Sequence, residues 1–272
     1  MAVNPTPVLR SEEKTPLINK ASVAAQRFDL QVDGLTKAFK KGEPVVDRLA
    51  FSVARCESVA LIGSNGAGKS TALRSALRLI EPDAGDVTLF DTALMQATPK
   101  DLRRIRADVG FVFQKHNLVP RLSALSNVVH GHLGRAGGVR GWSQAFAPPI
   151  IRDQALACLD RVGLIDHAMK RADQLSGGQS QRVAIARALM AKPKMIVADE
   201  PVASLDPVAG EEVMTLFTEL VREEGITLLF TSHHVDHALA FSDRVLALKA
   251  GRLVLDAPSG DLQADELRVH YG

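Results

Sequence analysis

The chain of 272 residues has two cysteines, one tryptophan and one tyrosine, and a formal net charge of only +2. Each scarcity excludes something. Cys56 and Cys158 stand at no metal-like spacing, so neither a disulfide framework nor a thiolate metal centre is expected, and a reducing, cytosolic setting fits. The near-neutral balance argues against a nucleic-acid protein, which would carry a strongly basic domain. No apolar run reaches the roughly 20 residues of a membrane-spanning helix. The longest, such as Ile226 to Phe230 and Val245 to Leu248, have the length of buried strands. The first residues have no apolar core of the signal-peptide kind. No internal repeat is evident.

What is present is 46% hydrophobic residues distributed in short periodic segments. Residues 1–26, with three prolines and no clear period, are expected to be a disordered extension. From Phe28 the sequence alternates, with Phe28, Leu30 and Val32 on one face, which predicts an edge-type strand. Phe51 to Val53 and Val87 to Phe90 read similarly. Ser58 to Ile62 is a buried strand running into glycine-rich sequence, followed by a helix expected from Ser70 to about Ile80. About 115–175 reads as a mostly helical insertion, with helical periodicity over Ile151 to Val162, a flexible glycine-rich stretch from Gly134 to Gly141, and Trp142. Beyond it, helices are expected over Gln179–Met190, Val208–Glu223 and Val235–Phe241. They alternate with strands over Met195–Ala198, Ile226–Phe230 and Val245–Ala250. Strands separated by helices predict an α/β fold whose mostly parallel sheet is covered on both faces.

Three motifs carry chemistry. Gly63-Ser64-Asn65-Gly66-Ala67-Gly68-Lys69-Ser70 fits G-x-x-x-x-G-K-[ST], placed as that motif requires between a buried strand and a helix. Backbone N–H groups of such a loop converge on phosphate oxygens, and its glycines allow the close approach. Lys69 would reach the β- and γ-phosphates of ATP, and the Ser70 hydroxyl would bind Mg²⁺. Thr71 follows at the loop's edge. Second, the apolar run Met195–Ala198 ends in Asp199 and Glu200. Two acids are costly in a core, so they belong at the strand's carboxyl end facing a ligand. Asp199 would hold Mg²⁺ through water, and Glu200 would polarise the water that attacks the γ-phosphate. Third, Leu175-Ser176-Gly177-Gly178-Gln179 opens a helix, making an anion-binding N-terminus of Ser176, Gly177, Gly178 and Gln179. A second phosphate site is unexplained within one chain that already has a phosphate loop. It makes sense if the loop of one copy and the helix tip of its twin sandwich one ATP in a two-fold dimer. His130-Gly131-His132 offers two imidazoles, too few for a metal site.

With these motifs the chain resembles an ATP-binding subunit of the ABC transporters over about residues 28–260. The resemblance implies a P-loop NTPase (RecA-like) core with an antiparallel β subdomain and an α-helical subdomain, all within a nucleotide-binding domain spanning 27–272. It also assigns further positions. Phe39 resembles the aromatic that stacks on adenine, with a core phenylalanine as the other reading. Gln114 resembles the glutamine linking Mg²⁺ and attacking water to the helical subdomain. Ser204-Leu205-Asp206 resembles the loop that crosses the dimer interface, and His233 the switch histidine at the γ-phosphate. Implied partners are a second copy of the chain, polytopic permease subunits and, indirectly, an extracellular or periplasmic substrate-binding protein. The implied location is the cytoplasmic face of the inner membrane. Phe113 to Val119, Gly131 to Arg135, Arg171 to Ser176, Ala198 to Pro207 and His233 to Asp236 further resemble the phosphonate-importer ATPases. Importers of phosphate, phosphite or hypophosphite share that pattern. Cys56 stands where these relatives usually have glycine, and Ser180 where glutamine is common. Soluble relatives acting on nucleic acid or ribosomes usually carry tandem nucleotide domains or a long coiled-coil insertion; this chain has one motif set and a short insertion.

Overall fold

A computed structural model describes residues 27–40, 42–136 and 147–271. The expected extension at 1–26, Trp142 and most of the stretch from Gly134 to Gly141 lie outside the described residues.

The chain begins with β1 (Phe28–Lys40), β2 (Glu43–Ala54), β3 (Ser58–Ile62), α1 (Lys69–Ala76), β4 (Ala84–Leu89), β5 (Thr92–Ala93), α2 (Pro99–Arg106) and β6 (Val109–Val112). The insertion follows as α3 (Ala124–Val129), α4 (Leu133–Ala136) and α5 (Pro149–Arg161). The remainder is α6 (Gly177–Met190), β7 (Met195–Ala198), α7 (Pro207–Glu223), β8 (Thr227–Ser232), α8 (Val235–Phe241), β9 (Arg244–Lys249), β10 (Arg252–Pro258) and α9 (Ala264–Tyr271).

Two sheets form. One is antiparallel, in the order β2-β1-β4-β5; the other has six strands in the order β10-β9-β3-β8-β7-β6. The five strands from β9 to β6 are parallel, as the alternation of strands and helices predicts, and β10 adds an antiparallel edge. Period-two geometry sends successive side chains of one strand to opposite faces. Val59 and Leu61 of β3 therefore join Val197, Leu229 and Leu246 in a core beneath α1 and the antiparallel sheet. Ala60 and Ile62 join Ala198, Phe230 and Ala247 in a second core shared with α3, α5, α6 and α7. Both faces of β3, β7 and β8 are thus buried, which is why these strands read as unbroken apolar runs.

Several expectations need correction. The segment from Phe28 is not an edge strand: β1 lies between β2 and β4, and β4 likewise lies between β1 and β5. Alternation reports one buried face, not how many strands pair alongside. α1 ends at Ala76, not Ile80. Arg78 takes a left-handed conformation (φ 51), its N–H donates to the Ser75 carbonyl and that of Leu79 to the Arg74 carbonyl, a closure usually built on glycine. The Arg78 guanidinium steadies it by donating to the Leu94 and Ala97 carbonyls. α6 begins two residues before Gln179, because Ser176 is its N-cap. β8 is displaced to Thr227–Ser232 relative to Ile226–Phe230. Cys56 has φ 60, a conformation that glycine adopts freely, so the glycine usual there has a backbone reason.

Candidate functional site

The phosphate loop connects β3 to α1. Gly68 is the N-cap of α1 at φ 102, and a Cβ there would press into the Val45 carbonyl oxygen, so both conformation and space require glycine. Gly63 and Gly66 also have positive φ, and the Ala67 N–H donates to the Ser64 carbonyl at 3.1 Å. Lys69 is 5% exposed; its Nζ donates to the Gly63 carbonyl at 2.7 Å and the Ser64 carbonyl at 3.3 Å. Asn65 through Thr71 line a depression of about 300 Å³ with Val45, Gln114 and Glu200.

The two acids lie at the carboxyl end of β7, against the start of α1. Asp199, 3% exposed, accepts from the Ser70 hydroxyl (Oγ–Oδ1 2.8 Å), the Thr231 hydroxyl (3.1 Å) and Arg74 (Nη2–Oδ2 3.3 Å). Glu200 is left-handed (φ 49) and its N–H donates to Thr231 Oγ1 at 2.8 Å. A non-glycine residue held in that region costs roughly 1–3 kcal/mol and tends to mark functional positions. Its carboxylate accepts from Gln114 Nε2 at 3.2 Å and lies 3.5 Å from Lys69 Nζ and 3.9 Å from His233 Nδ1. Burial pushes the His233 pKa below its ordinary 6.5; His234 and Lys69 push the same way, Glu200 the other. Lys69, Ser70, Gln114, Asp199, Glu200 and His233 thus meet around one spot, although they span 164 residues of sequence.

An oxygen-only set of a hydroxyl and a carboxylate 2.8 Å apart, with the Gln114 amide nearby, is the donor chemistry that Mg²⁺ prefers. The residues present fit the ion.

The signature residues sit elsewhere. Ser176 Oγ accepts from the Gln179 N–H at 3.2 Å, and Gln179 Oε1 accepts from the Ser176 N–H at 3.1 Å, a reciprocal capping box. Ser176, Gly177, Gly178 and Gln179 line a depression of about 500 Å³ with Ser204, Leu205, Asp206 and Arg182. Asp206 itself caps α7, accepting from the Ala209 N–H at 3.0 Å. This depression shares no residue with the one at the phosphate loop. Phe39 is 62% exposed, with Lys37 Nζ 5.7 Å from its ring centroid, which removes the core reading.

Sequence reasoning missed Thr231, which fixes both acids, and Arg74, which pairs with Asp199. Arg74 lies four residues after Ser70 on α1, a spacing that puts both on one face; nothing near Thr231 in sequence signals its contacts.

The chain is similar to known proteins along most of its length. The ABC transporter family profile matches residues 46–203. A phosphonates import ATP-binding protein of Rhodopseudomonas palustris is 45% identical over 89% of this chain and 89% of its own. One of Halalkalibacterium halodurans is 44% identical over 86% and 95%. Among solved structures, a dimeric ATP-binding cassette in a post-hydrolysis state bound to ADP and Pi superposes with TM-score 0.74 at 33% identity, covering 85% of this chain and 98% of that one. Another, cbiO1 of Clostridium perfringens, part of the ABC transporter complex cbiONQ, gives TM-score 0.77 at 27% identity over 90% of this chain and 96% of that one.

Proposed function

The chain belongs to the ABC transporter family as an importer's ATP-binding and hydrolysing subunit, and from that premise we propose that it energises phosphonate uptake as a head-to-tail dimer. The observation that carries the hydrolytic part is the meeting of Lys69, Asp199, Glu200, Gln114 and His233 at the mouth of the phosphate loop. Gly63 to Thr71 cradle the phosphates of ATP, Lys69 neutralises their charge, and Phe39 stacks on the base. Ser70, Asp199 and Gln114 hold Mg²⁺, which when bound draws charge off the phosphate oxygens. Glu200 orients the attacking water and accepts its proton, Gln114 fixes the Glu200 carboxylate, and His233 faces the γ-phosphate. Catalysis of this kind is positioning and electrostatic stabilisation more than covalent chemistry.

Ser176 to Gln179, with Asp206 beside them, serve the ATP of the partner copy. Support for the dimer is the separation of the two depressions in one chain and the dimeric state of the similar cassette. No helix among the described residues is long and apolar enough to cross a membrane, so transport requires a permease that spans it. The subunit works at the cytoplasmic face of the inner membrane, against polytopic permease subunits fed by a substrate-binding protein. The phosphonate assignment rests on relatives 40–46% identical that bear that name. The test is hydrolysis in vesicles holding the chain, its permease and its binding protein. An alkylphosphonate should stimulate ATP turnover more than phosphite or phosphate; stimulation by phosphate alone would replace the substrate and leave the ATPase standing.

A further inference from the structure

Arg187 of α6 has no part in the chemistry above, yet its half-buried guanidinium is held by backbone rather than by an acid. Burial pushes its pKa below the usual arginine value. Among the described residues no carboxylate pairs with it; its guanidinium donates instead to two backbone carbonyls, Asn117 at 2.6 Å and His116 at 2.7 Å. Those two residues stand two and three positions after Gln114, and both are left-handed (His116 φ 31, Asn117 φ 48). Two consecutive non-glycine residues in that region are strained, His116 more than Asn117, whose short side chain tolerates it better. Two charge-assisted bonds from a rigid fork are the means present to hold them. A half-buried cation spent on a strained loop is costly to desolvate, which sets Arg187 apart from the mostly apolar residues that fill the buried face of α6.

The helical insertion reaches the same point. A Cβ on Gly131 would press into the Arg187 carbonyl oxygen and would lie 3.0 Å from Met190 Cβ, so the turn after α3 rests directly on α6 here. Eleven residues toward its N-terminus, about 16 Å at 1.5 Å per residue, stands Ser176, the N-cap of α6. One end of α6 therefore faces the partner's nucleotide, while its body grips the loop that aims Gln114 at Glu200.

We propose that Arg187 is a positioning residue for Gln114, clamping the His116–Asn117 backbone to α6 so that the seating of the helical insertion sets where the Gln114 amide stands against Glu200. This rests on the reading of Gln114 and Glu200 given above. The clamp joins α6, whose N-terminal turn holds Ser176, to the loop that carries Gln114.

The test is a double-mutant cycle on the full-length protein. Arg187→Met should lower kcat by about 10-fold and leave the ATP KM within about twofold, since the phosphate loop is untouched. Its melting midpoint should stay within a few degrees of the wild type, because the desolvation cost of the half-buried guanidinium is removed together with its two hydrogen bonds. Gln114→Ala should show a comparable kcat loss, and R187M should add nothing on top of it. R187K, a point donor that cannot span both carbonyls, should recover part of the loss. Should R187M fail to fold, R187K carries the same cycle, with an expected loss of about threefold that vanishes in the Q114A background. Additive losses, or a kcat loss that tracks a falling melting midpoint, would overturn the clamp and leave Gln114 in place. Wild-type kcat in Q114A would instead overturn the reading of Gln114, and the clamp with it.

Discussion

The phosphate-loop depression and the signature depression are built on opposite plans. In the first, charged groups of both signs are packed together and satisfied within the chain: Lys69 on loop carbonyls, Asp199 on Ser70, Thr231 and Arg74, Glu200 on Gln114. In the second, the working groups are a helix N-terminus and a serine, with charge only at the rim in Arg182, Asp206 and Glu212. The first gathers a lysine and a glycine-rich loop, the chemistry that the proposed function uses to bind the phosphates of ATP. The second offers a partial positive charge of roughly half an elementary unit, enough to complete a phosphate's coordination but not to capture one. On the proposed function, the difference makes affinity and assembly separable: one half-site would bind nucleotide, and the other would read whether it is bound.

The largest expected effect comes from the charge-dense half. Glu200→Gln keeps the shape and the hydrogen bond to Gln114 but removes the proton acceptor. ATP binding should persist while single-turnover hydrolysis falls about 10² to 10⁴-fold, the usual range for loss of general base catalysis. Nucleotide should then accumulate unhydrolysed in a dimer visible by size-exclusion chromatography. Hydrolysis at the normal rate would mean that the proton goes elsewhere, and the plan assigned to this half would be wrong.

The next effect separates the halves. Ser176→Arg removes an N-cap, at about 1 kcal/mol, and fills the helix tip with bulk. ATP affinity measured on the isolated monomer should be unchanged, because Ser176 is absent from the phosphate-loop depression. ATP-driven dimerisation in a Glu200→Gln background should be lost, and steady-state hydrolysis should drop about 10- to 100-fold. Weakened binding of ATP to the S176R monomer would show that the two depressions are not independent.

The two halves also differ in how they could be read from sequence. β3 and β7 stand where their apolar runs predict, since strands buried on both faces have no other reading. The residues Gly63 to Ser70 and Ser176 to Gln179 are local in sequence, so their motifs place them. What remained hidden depends on contact between distant segments. Thr231, 31 residues from Glu200, holds both acids; Arg187 grips a loop 70 residues away. The strand β10 and the helix α2 also went unread, because β10 alternates half-buried with exposed residues and α2 buries only Ile105. The early stop of α1 has the same character: Arg78 substitutes for the glycine that would have announced it, and only its contacts with Leu94 and Ala97 make that tenable.

The smallest effect concerns pH and should fall on the charge-dense side alone. Burial pushes the pKa of His233, His116 and His237 below their ordinary 6.5; Lys69 and neighbouring histidines or Arg187 add to it. Glu200, Glu211 and Asp236 oppose the shift without reversing it. A base whose folded pKa is depressed takes up its proton in the unfolded chain first. Stability is therefore independent of these groups well above pH 6.5 and declines as pH falls through 6.5 toward the folded values. The melting midpoint should drop as pH goes from 7.5 to 5.5, and His237→Asn, which leaves the site chemistry intact, should flatten part of that slope. Its ring contacts, tilted against His234 at 5.2 Å between centroids and edge-on to Phe241 at 5.8 Å, predict a change of a few degrees at most. Hydrolysis should fall over the same interval, because protonated His233 would sit beside Lys69 and draw the Glu200 carboxylate away from Gln114. A rate that held steady to pH 5.5 would mean that His233 works equally well charged, and that only fixed charges, not titrating ones, distinguish this half from the other.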